Sequence, residues 1–512
     1  MRAAISERLL AKRWRRAVLA LAAGVCAVSG FSPTGLPWLT GACFTVLILI
    51  WLRTPTRREA ALNGFLFGMG LFGVGASWVY ISLHQFGMMP APLAATATVL
   101  FCGYMALFPA LTGSLQARLD VPHWLQATLL APALWVLTEW VRGWLLTGFP
   151  WLAMGYSQID TPFSGYAPLL GVYGVSLVMG LAAGSLAAAC LPGPVRGRQG
   201  LAMIAVGLVG AGSIIGEIDW VSAQGEPVPA ALIQGNIAQN LKFDPGHYAS
   251  TLATYKRLID AGPAQLIVLP ETAVPRFLDM VDPAYLDGLA ESARRRGGDL
   301  LLGVPFRNNS GSYFNGVVNL GHAGLQFYAK SHLVPFGEFV PTEFKWIVGT
   351  LQIPLSDFSP GVRPKPLLAA GERIGITVCY EDAFGEELIA QLPEATILAN
   401  LSNVAWFGDS LAPGQHLQIS RMRSMETGRY MLRATNTGVT AIIDERGRVI
   451  DQLPLFIEGV LYGKAQPFIK ATPYVRVGNY MTLAICAMLL ATGVFIFIRR
   501  RPISRESPLA SV

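Results

Sequence analysis

Apolar runs of about the 17–25 residues that a bilayer core demands recur through the first 217 residues. They lie near 17–32, 36–52, 61–83, 92–115, 124–147, 163–191 and 201–217, and an eighth follows near 478–498. After the linker Asp219–Val228 the pattern changes. Apolar runs shorten to strand length and alternate with polar, helix-like stretches. Ala230–Ile237, Leu266–Pro270, Leu300–Val304, Asn315–Leu320, Gln326–Ala329, Ile374–Cys379, Thr396–Leu401, Gly438–Asp444 and Val449–Leu453 read as strands. His247–Ala261, Asp282–Arg296 and Gln415–Thr427 read as helices. Runs this short and this apolar predict strands buried on both faces, a central sheet covered by helices. The expected plan is an α-helical membrane domain over residues 1–217 with seven spans, an α/β domain over 218–474, and a last span with a basic tail over 475–512.

Charge changes the picture by setting an orientation. Only 14% of the 512 residues are charged, against about 25% in soluble chains. Residues 225–470 hold 21 Lys and Arg against 24 Asp and Glu, and the remainder 18 against 8. The basic excess therefore flanks the apolar runs, and no basic face points to nucleic acid. Lys and Arg sit in the leader, at Arg53–Arg58, at Arg118, at Arg196 and Arg198, and in the tail from Arg499. Loops 33–36, 84–91 and 148–162 have none. By the positive-inside rule both termini are cytoplasmic and the α/β domain is extracytoplasmic. The first run has the basic leader of a signal peptide, but six more runs follow at once, which favours an uncleaved first helix.

Within the apolar runs, Gly64, Gly68, Gly70, Gly73 and Gly75 would let helices approach closely. Glu139 and Arg142 share a helix face near the outer end of their run. They read either as a mutually neutralising pair or as a site where Arg142 meets a lipid phosphate. Cys26, Cys43, Cys102, Cys190 and Cys486 fall in apolar segments and read as small buried hydrophobes. The six histidines have no metal-ligand spacing, and no Gly-rich phosphate loop is visible, so neither metal nor cofactor is expected.

Three stretches of the α/β domain carry chemistry. Leu269-Pro270-Glu271 sets a carboxylate at a strand end, with Pro275 close behind to stiffen the turn. Tyr328-Ala329-Lys330 ends a strand on a lysine, and Glu338 follows eight residues later. Gly375–Asp382 carries Cys379, the only cysteine of residues 225–470, to the rim of a strand. Each alone has a bland reading as a turn acid, a surface lysine or a core thiol. Together they offer a nucleophile, a general base to take its proton, and a cation for the oxyanion of a tetrahedral intermediate.

Glu271, Lys330 and Cys379, in this order, resemble the Glu-Lys-Cys triad of the carbon–nitrogen hydrolase (nitrilase) superfamily. The phrases around them, His332-Leu333-Val334-Pro335-Phe336-Gly337-Glu338, Cys379-Tyr380-Glu381 and Asn403-Val404-Ala405-Trp406-Phe407-Gly408, are similar to its membrane branch, the apolipoprotein N-acyltransferases. The resemblance implies an α-β-β-α sandwich on a bundle of about eight spans in a bacterial inner membrane, with the sandwich in the periplasm. It implies a ping-pong reaction without a cofactor. A phospholipid, typically phosphatidylethanolamine, gives its sn-1 acyl chain to Cys379, and the α-amine of a diacylglyceryl-cysteine on an apolipoprotein takes it. Glu271 would be the base, Lys330 the oxyanion stabiliser, and Glu338, Tyr380 and Glu381 supporting groups. Trp406 would lie near the site. Phe243 stands where the family pattern expects tryptophan. Phe344–Ile353, with Trp346, is expected either to act as a lid that touches the bilayer or to pack on the core. The chain is expected to act as a monomer. The nearest rival is a membrane-tethered amidase that uses the same triad on a small amide. A polytopic transporter with an ectodomain is a more distant one.

Overall fold

The structure, a computed structural model, describes residue 10 and residues 12–340, 357–362 and 364–500. Helices occur where the apolar runs predict them: α1 (Arg13–Ala27), α2 (Pro37–Leu52), α3 (Arg57–Gly75), α4 (Ala91–Gln116), α5 (Ala131–Arg142), α6 (Ala167–Ala189) and α7 (Val195–Gly216). Among the described residues, four helical stretches are long and apolar enough to cross a membrane: Ala91–Gln116, Pro162–Ala189, Val195–Gly216 and Tyr480–Arg499. A fifth is counted if Arg57–Gly75 and Val79–Phe86, bent by 56° at the break between them, form one span. Of the eight runs expected, four or five are thus matched by such stretches among the described residues. Runs that look continuous in sequence are interrupted by turns, as at Val28–Gly30 after α1 and Leu145–Thr147 after α5.

The predicted glycine contacts are present, with one exception. A Cβ on Gly64 would sit 2.2 Å from the Pro109 carbonyl oxygen, and one on Gly70 would sit 2.4 Å from that of Leu21. Helices α3, α4 and α1 thus pack backbone against backbone. Gly73 faces nothing within 4 Å and plays no such part.

The α/β domain contains two six-stranded sheets, as the resemblance implies and run length alone does not. The first has the order β12 (Gly459–Ala465), β1 (Val228–Gln234), β2 (Leu266–Val268), β3 (Asp299–Gly303), β4 (Gly316–Gly321), β5 (Gln326–Ala329). The second runs β11 (Val449–Gln452), β10 (Ala441–Ile443), β9 (Met431–Thr435), β8 (Ile397–Ser402), β7 (Glu372–Val378), β6 (Leu367–Ala369). In each sheet the central three strands are parallel and the outer pairings antiparallel. Alternate residues of the two sheets meet in a shared apolar layer, with Leu232, Val268 and Leu301 on one side and Ile376, Ala399 and Leu432 on the other. The opposite face of the first sheet is covered by α8 (Tyr248–Asp260) and α9 (Pro283–Arg294) through Tyr255, Leu258 and Leu289. A strand buried under a second sheet and one buried under helices look alike in sequence, which is why run length predicted a single sheet.

Helix α10 (Ala412–Thr427) joins the sandwich to the bundle. Its Ala412, Ile419 and Met422 belong to the core of the bundle. Its Gln415 accepts from Trp151 Nε1 at 2.7 Å and Trp78 Nε1 at 3.2 Å and donates to the Gly75 carbonyl. The Glu426 carboxylate accepts the Val172 N–H at 2.7 Å. Buried polar groups paired across a seam fix its register, because leaving either partner unpaired is costly. The last helix, α11 (Tyr480–Arg500), follows the sandwich.

Candidate active site

Cys379 begins a turn of 3-10 helix directly after β7 and has φ +52°. A side chain with a Cβ adopts that conformation at a cost of ~1–2 kcal/mol. The turn leaves Cys379 at the end of β7, in the apolar layer between the sheets. The backbone is held there: Asn400 Nδ2 donates to the Cys379 carbonyl at 3.2 Å, and His416 Nε2 lies 3.2 Å from the same oxygen and 2.7 Å from Asp382. Thr272, immediately after Glu271, is a second left-handed position, with φ +48°. Backbone strain is thus stored on both sides of the seam.

The other two members come from the first sheet. Lys330 follows β5 and Glu271 follows β2 by three residues. Lys330 Nζ lies 2.8 Å from Glu338 Oε2 and 3.5 Å from Glu271 Oε1, and its side chain is 1% exposed. Asn315 bridges the two acids, donating from Nδ2 to Glu271 Oε1 at 2.7 Å and Glu338 Oε1 at 2.6 Å. The Asn403 N–H, at the end of β8 in the second sheet, donates to Glu271 Oε2 at 3.0 Å. Burial works against the Lys330 ammonium, but Glu338 and then Glu271 outweigh it and hold its pKa above the ordinary lysine value. Lys330 is therefore a permanent cation. Burial and the Glu271 carboxylate push the Cys379 thiol well up, while Lys330 and the Asn403 N–H pull it down. The resting group is a neutral thiol, so attack requires a base in the same step.

Glu381 ties the two halves together. One oxygen accepts from the Ser331 N–H at 2.6 Å, Ser331 Oγ at 2.9 Å and the His332 N–H at 3.2 Å. The other accepts from the Val378 N–H at 2.7 Å and Tyr328 OH at 3.0 Å. It thereby fixes the chain on both sides of Lys330 to the chain before Cys379. Glu381→Ala strands these buried donors, at ~1–3 kcal/mol for each left unsatisfied. We expect a fall in melting temperature and at least a tenfold loss of activity, measured by thermal unfolding and acyl transfer in detergent. Wild-type values of both would remove Glu381 from this role.

The outer candidates are dispersed. Tyr380 OH donates to the Gly148 carbonyl at 3.0 Å, and His332 Nε2 lies 3.0 Å from the Thr147 carbonyl. Both anchor the site to the loop after α5. Arg142 is buried and donates to the carbonyls of Phe149 at 2.5 Å and Trp151 at 2.6 Å. Glu139 accepts from the Met154 N–H and Trp135 Nε1. The two acidic and basic groups hold that aromatic loop against α5 rather than bonding to each other. Trp406 packs edge-on against Phe86, and its carbonyl accepts from Ser82 Oγ, at the broken end of α3. Phe243 is half-buried and adjacent to Lys242. Trp346 and the segment Phe344–Ile353 lie outside the described residues.

Residues 23–185 match the apolipoprotein N-acyltransferase N-terminal domain, and residues 229–474 match the carbon–nitrogen hydrolase domain. An apolipoprotein N-acyltransferase of Nitrosomonas europaea is 50% identical over 484 residues, which are 93% of this chain and 97% of the relative. The chain belongs to the apolipoprotein N-acyltransferase family. Family members of Methylococcus capsulatus and Chromobacterium violaceum are each 43% identical, over 94% of this chain and 96% and 93% of theirs. The family's carbon–nitrogen hydrolase half accounts for the α/β domain, and the apolar helices accord with a membrane enzyme.

Sequence reading missed several groups of the site. Asn315 sits in a stretch with no chemical signature of its own, and Asn403, although it opens a phrase that carries the family resemblance, was given no role; only their bonds to Glu271 and Glu338 give them meaning. Lys242, 3% exposed, places Nζ 3.0 Å from the Glu271 carbonyl oxygen. Its signal is the phrase Lys242-Phe243-Asp244, where the family pattern has Lys-Trp-Asp and where the sequence reading weighed only the aromatic position.

Proposed function

We propose that this chain moves the sn-1 acyl chain of a phospholipid, with phosphatidylethanolamine as the expected donor, to the α-amine of an S-diacylglyceryl-cysteine at an apolipoprotein N-terminus. Cys379 is the nucleophile, Glu271 the general base and Lys330 the oxyanion stabiliser. Glu271 takes the Sγ proton as sulfur attacks the ester carbonyl. The C–O bond breaks, and the proton passes to the leaving lysophospholipid oxygen. The acceptor amine then attacks the thioester, the C–S bond breaks, and a proton from nitrogen returns to sulfur through Glu271. Lys330, with the Tyr380 backbone N–H, balances the charge on oxygen in both tetrahedral intermediates. Glu338 keeps Lys330 charged, and Tyr380 and Glu381 hold the catalytic loops.

The observation that carries this reading is that Glu271 and Glu338 lie within 3.5 Å of Lys330, and that Glu271 and Lys330 act electrostatically on the strained Cys379. That site sits on a bundle whose aromatic loop Phe149–Trp151 meets Tyr380 and His416. The topology that fits this chemistry has eight crossings in a bacterial inner membrane, with residues 1–217, 218–474 and 475–512 as bundle, periplasmic sandwich and last crossing. Donor chain and acceptor amine then arrive from the same membrane face, and one chain suffices.

A purified sample given phosphatidylethanolamine and a diacylglyceryl-cysteine peptide should yield N-acylated peptide and lysophospholipid. Release of free fatty acid alone, or of ammonia from small amides, would favour the amidase reading.

A further inference from the structure

The site contains two buried lysines in opposite electrostatic situations. Lys330 has two carboxylates within 3.5 Å. Lys242 has no carboxylate within 4 Å among the described residues, and its one hydrogen bond goes to a neutral carbonyl, that of Glu271. An ammonium carries three donors and is expensive to bury without a counter-ion. Its neutral form has two donors and a free lone pair, and such a burial brings that form within reach near neutral pH. The groups that act on Lys242 electrostatically are Glu271 and Cys379, so its Nζ lies within range of both the base and the nucleophile.

We infer that Lys242 is the proton acceptor for the incoming amine, taking the extra proton of the acceptor's α-ammonium group so that neutral nitrogen can attack the Cys379 thioester. The inference rests on the acyl-transfer reading above and adds a residue to its second half. The need is chemical. An α-amine is largely protonated at neutral pH, with a pKa of ~7.7–8.0. Its ammonium form has no lone pair. Glu271 handles the proton that moves from nitrogen to sulfur during aminolysis, and a second proton must leave before attack. In the balanced step, the ammonium N–H bond breaks and Lys242 becomes the ammonium. That proton is later lost to solvent as the one net proton that aminolysis of a thioester by an ammonium releases. Burial, opposed by Glu271 and Cys379, lowers Lys242 to about 8, close to the group it must deprotonate. In the first half-reaction the attacking group is a thiol, Glu271 suffices, and Lys242 has no part.

The test separates the half-reactions in Lys242→Met and Lys242→Arg. With phosphatidylethanolamine alone, both variants should form the Cys379 thioester within about threefold of wild type. Transfer to a diacylglyceryl-cysteine peptide at pH 7 should fall about 100-fold in both, because arginine keeps the charge but cannot accept a proton. The deficit should shrink as pH is raised past the acceptor's pKa. Hydroxylamine, largely unprotonated at pH 7, should release the acyl group at the wild-type rate. A deficit shared by both half-reactions and unchanged with pH would make Lys242 structural and overturn the inference, as would unimpaired transfer. Absence of any thioester in the wild-type enzyme would instead overturn the reading on which it rests. Thermal unfolding of the variants distinguishes a folding failure, which would also count against a role confined to the second step.

Discussion

Cys379→Ala should abolish acyl transfer, by at least ~10³-fold, and leave the folded protein intact. Alanine keeps the Cβ, so the φ of +52° is as strained as before and the turn after β7 has no reason to move. The residue's backbone partners, Asn400 Nδ2 and His416 Nε2, contact the carbonyl and are indifferent to the side chain. Only sulfur is lost, and with it the thioester. Cys379→Ser should be as inactive. Its hydroxyl is a far weaker acid than a thiol, and the burial that already raises the thiol would raise it further. Activity in Cys379→Ala above the background of an unrelated membrane protein would refute the assignment. The measurement is N-acylated peptide by mass spectrometry, with thermal unfolding as the control for folding.

Lys330→Met should combine a comparable loss of activity with a loss of stability. Lys330 lies between Glu271 and Glu338, and its removal leaves two acids, bridged by Asn315, with no cation. Breaking a buried pair from one side costs about 3–5 kcal/mol. Lys330→Met/Glu338→Gln removes one of the stranded charges. It should recover much of the stability and none of the activity, since on the proposed mechanism the oxyanion still lacks its cation. The comparison separates holding the fold from doing the chemistry. If the double variant regained activity together with melting temperature, Lys330 would be a structural counter-ion only.

The chain order of Glu271, Lys330 and Cys379 and the strand ends that carry them were legible in the sequence, because each closes an apolar run and is followed by turn-forming residues. Their setting in two stacked sheets followed from the family resemblance and not from the strand pattern itself. Strand β9 was overlooked for a physical reason: its middle residue is Arg433, fully buried, donating to Asn400 Oδ1 at 2.7 Å and lying 3.4 Å from Asp382. A buried cation inside a strand breaks the apolar pattern, and its compensating partners are 33 and 51 residues away. Strand β12 was missed because Gly463 and Lys464 interrupt it, although it closes the edge of the first sheet by seven pairings with β1. The helical positions were read well, but not their continuity. The bend after Gly75 and the left-handed Gly171, whose missing Cβ makes room for the Tyr474 ring, have no signature in a hydropathy pattern. Glu139 and Arg142 stood out correctly as costly charges, yet apart from Trp135, one turn before Glu139, their partners are loop carbonyls and a loop N–H that spacing along one helix could not reveal.

The central claim is that Cys379 carries the acyl chain between two substrates. Intact-mass and peptide mass spectrometry of the purified enzyme, incubated with phosphatidylethanolamine of defined chains and no acceptor, tests it most directly. The expected result is one added sn-1 acyl group on the peptide containing Cys379, removed by hydroxylamine and discharged when a diacylglyceryl-cysteine peptide is added. N-acylated product formed with no acyl group ever found on Cys379 in single-turnover samples would contradict it.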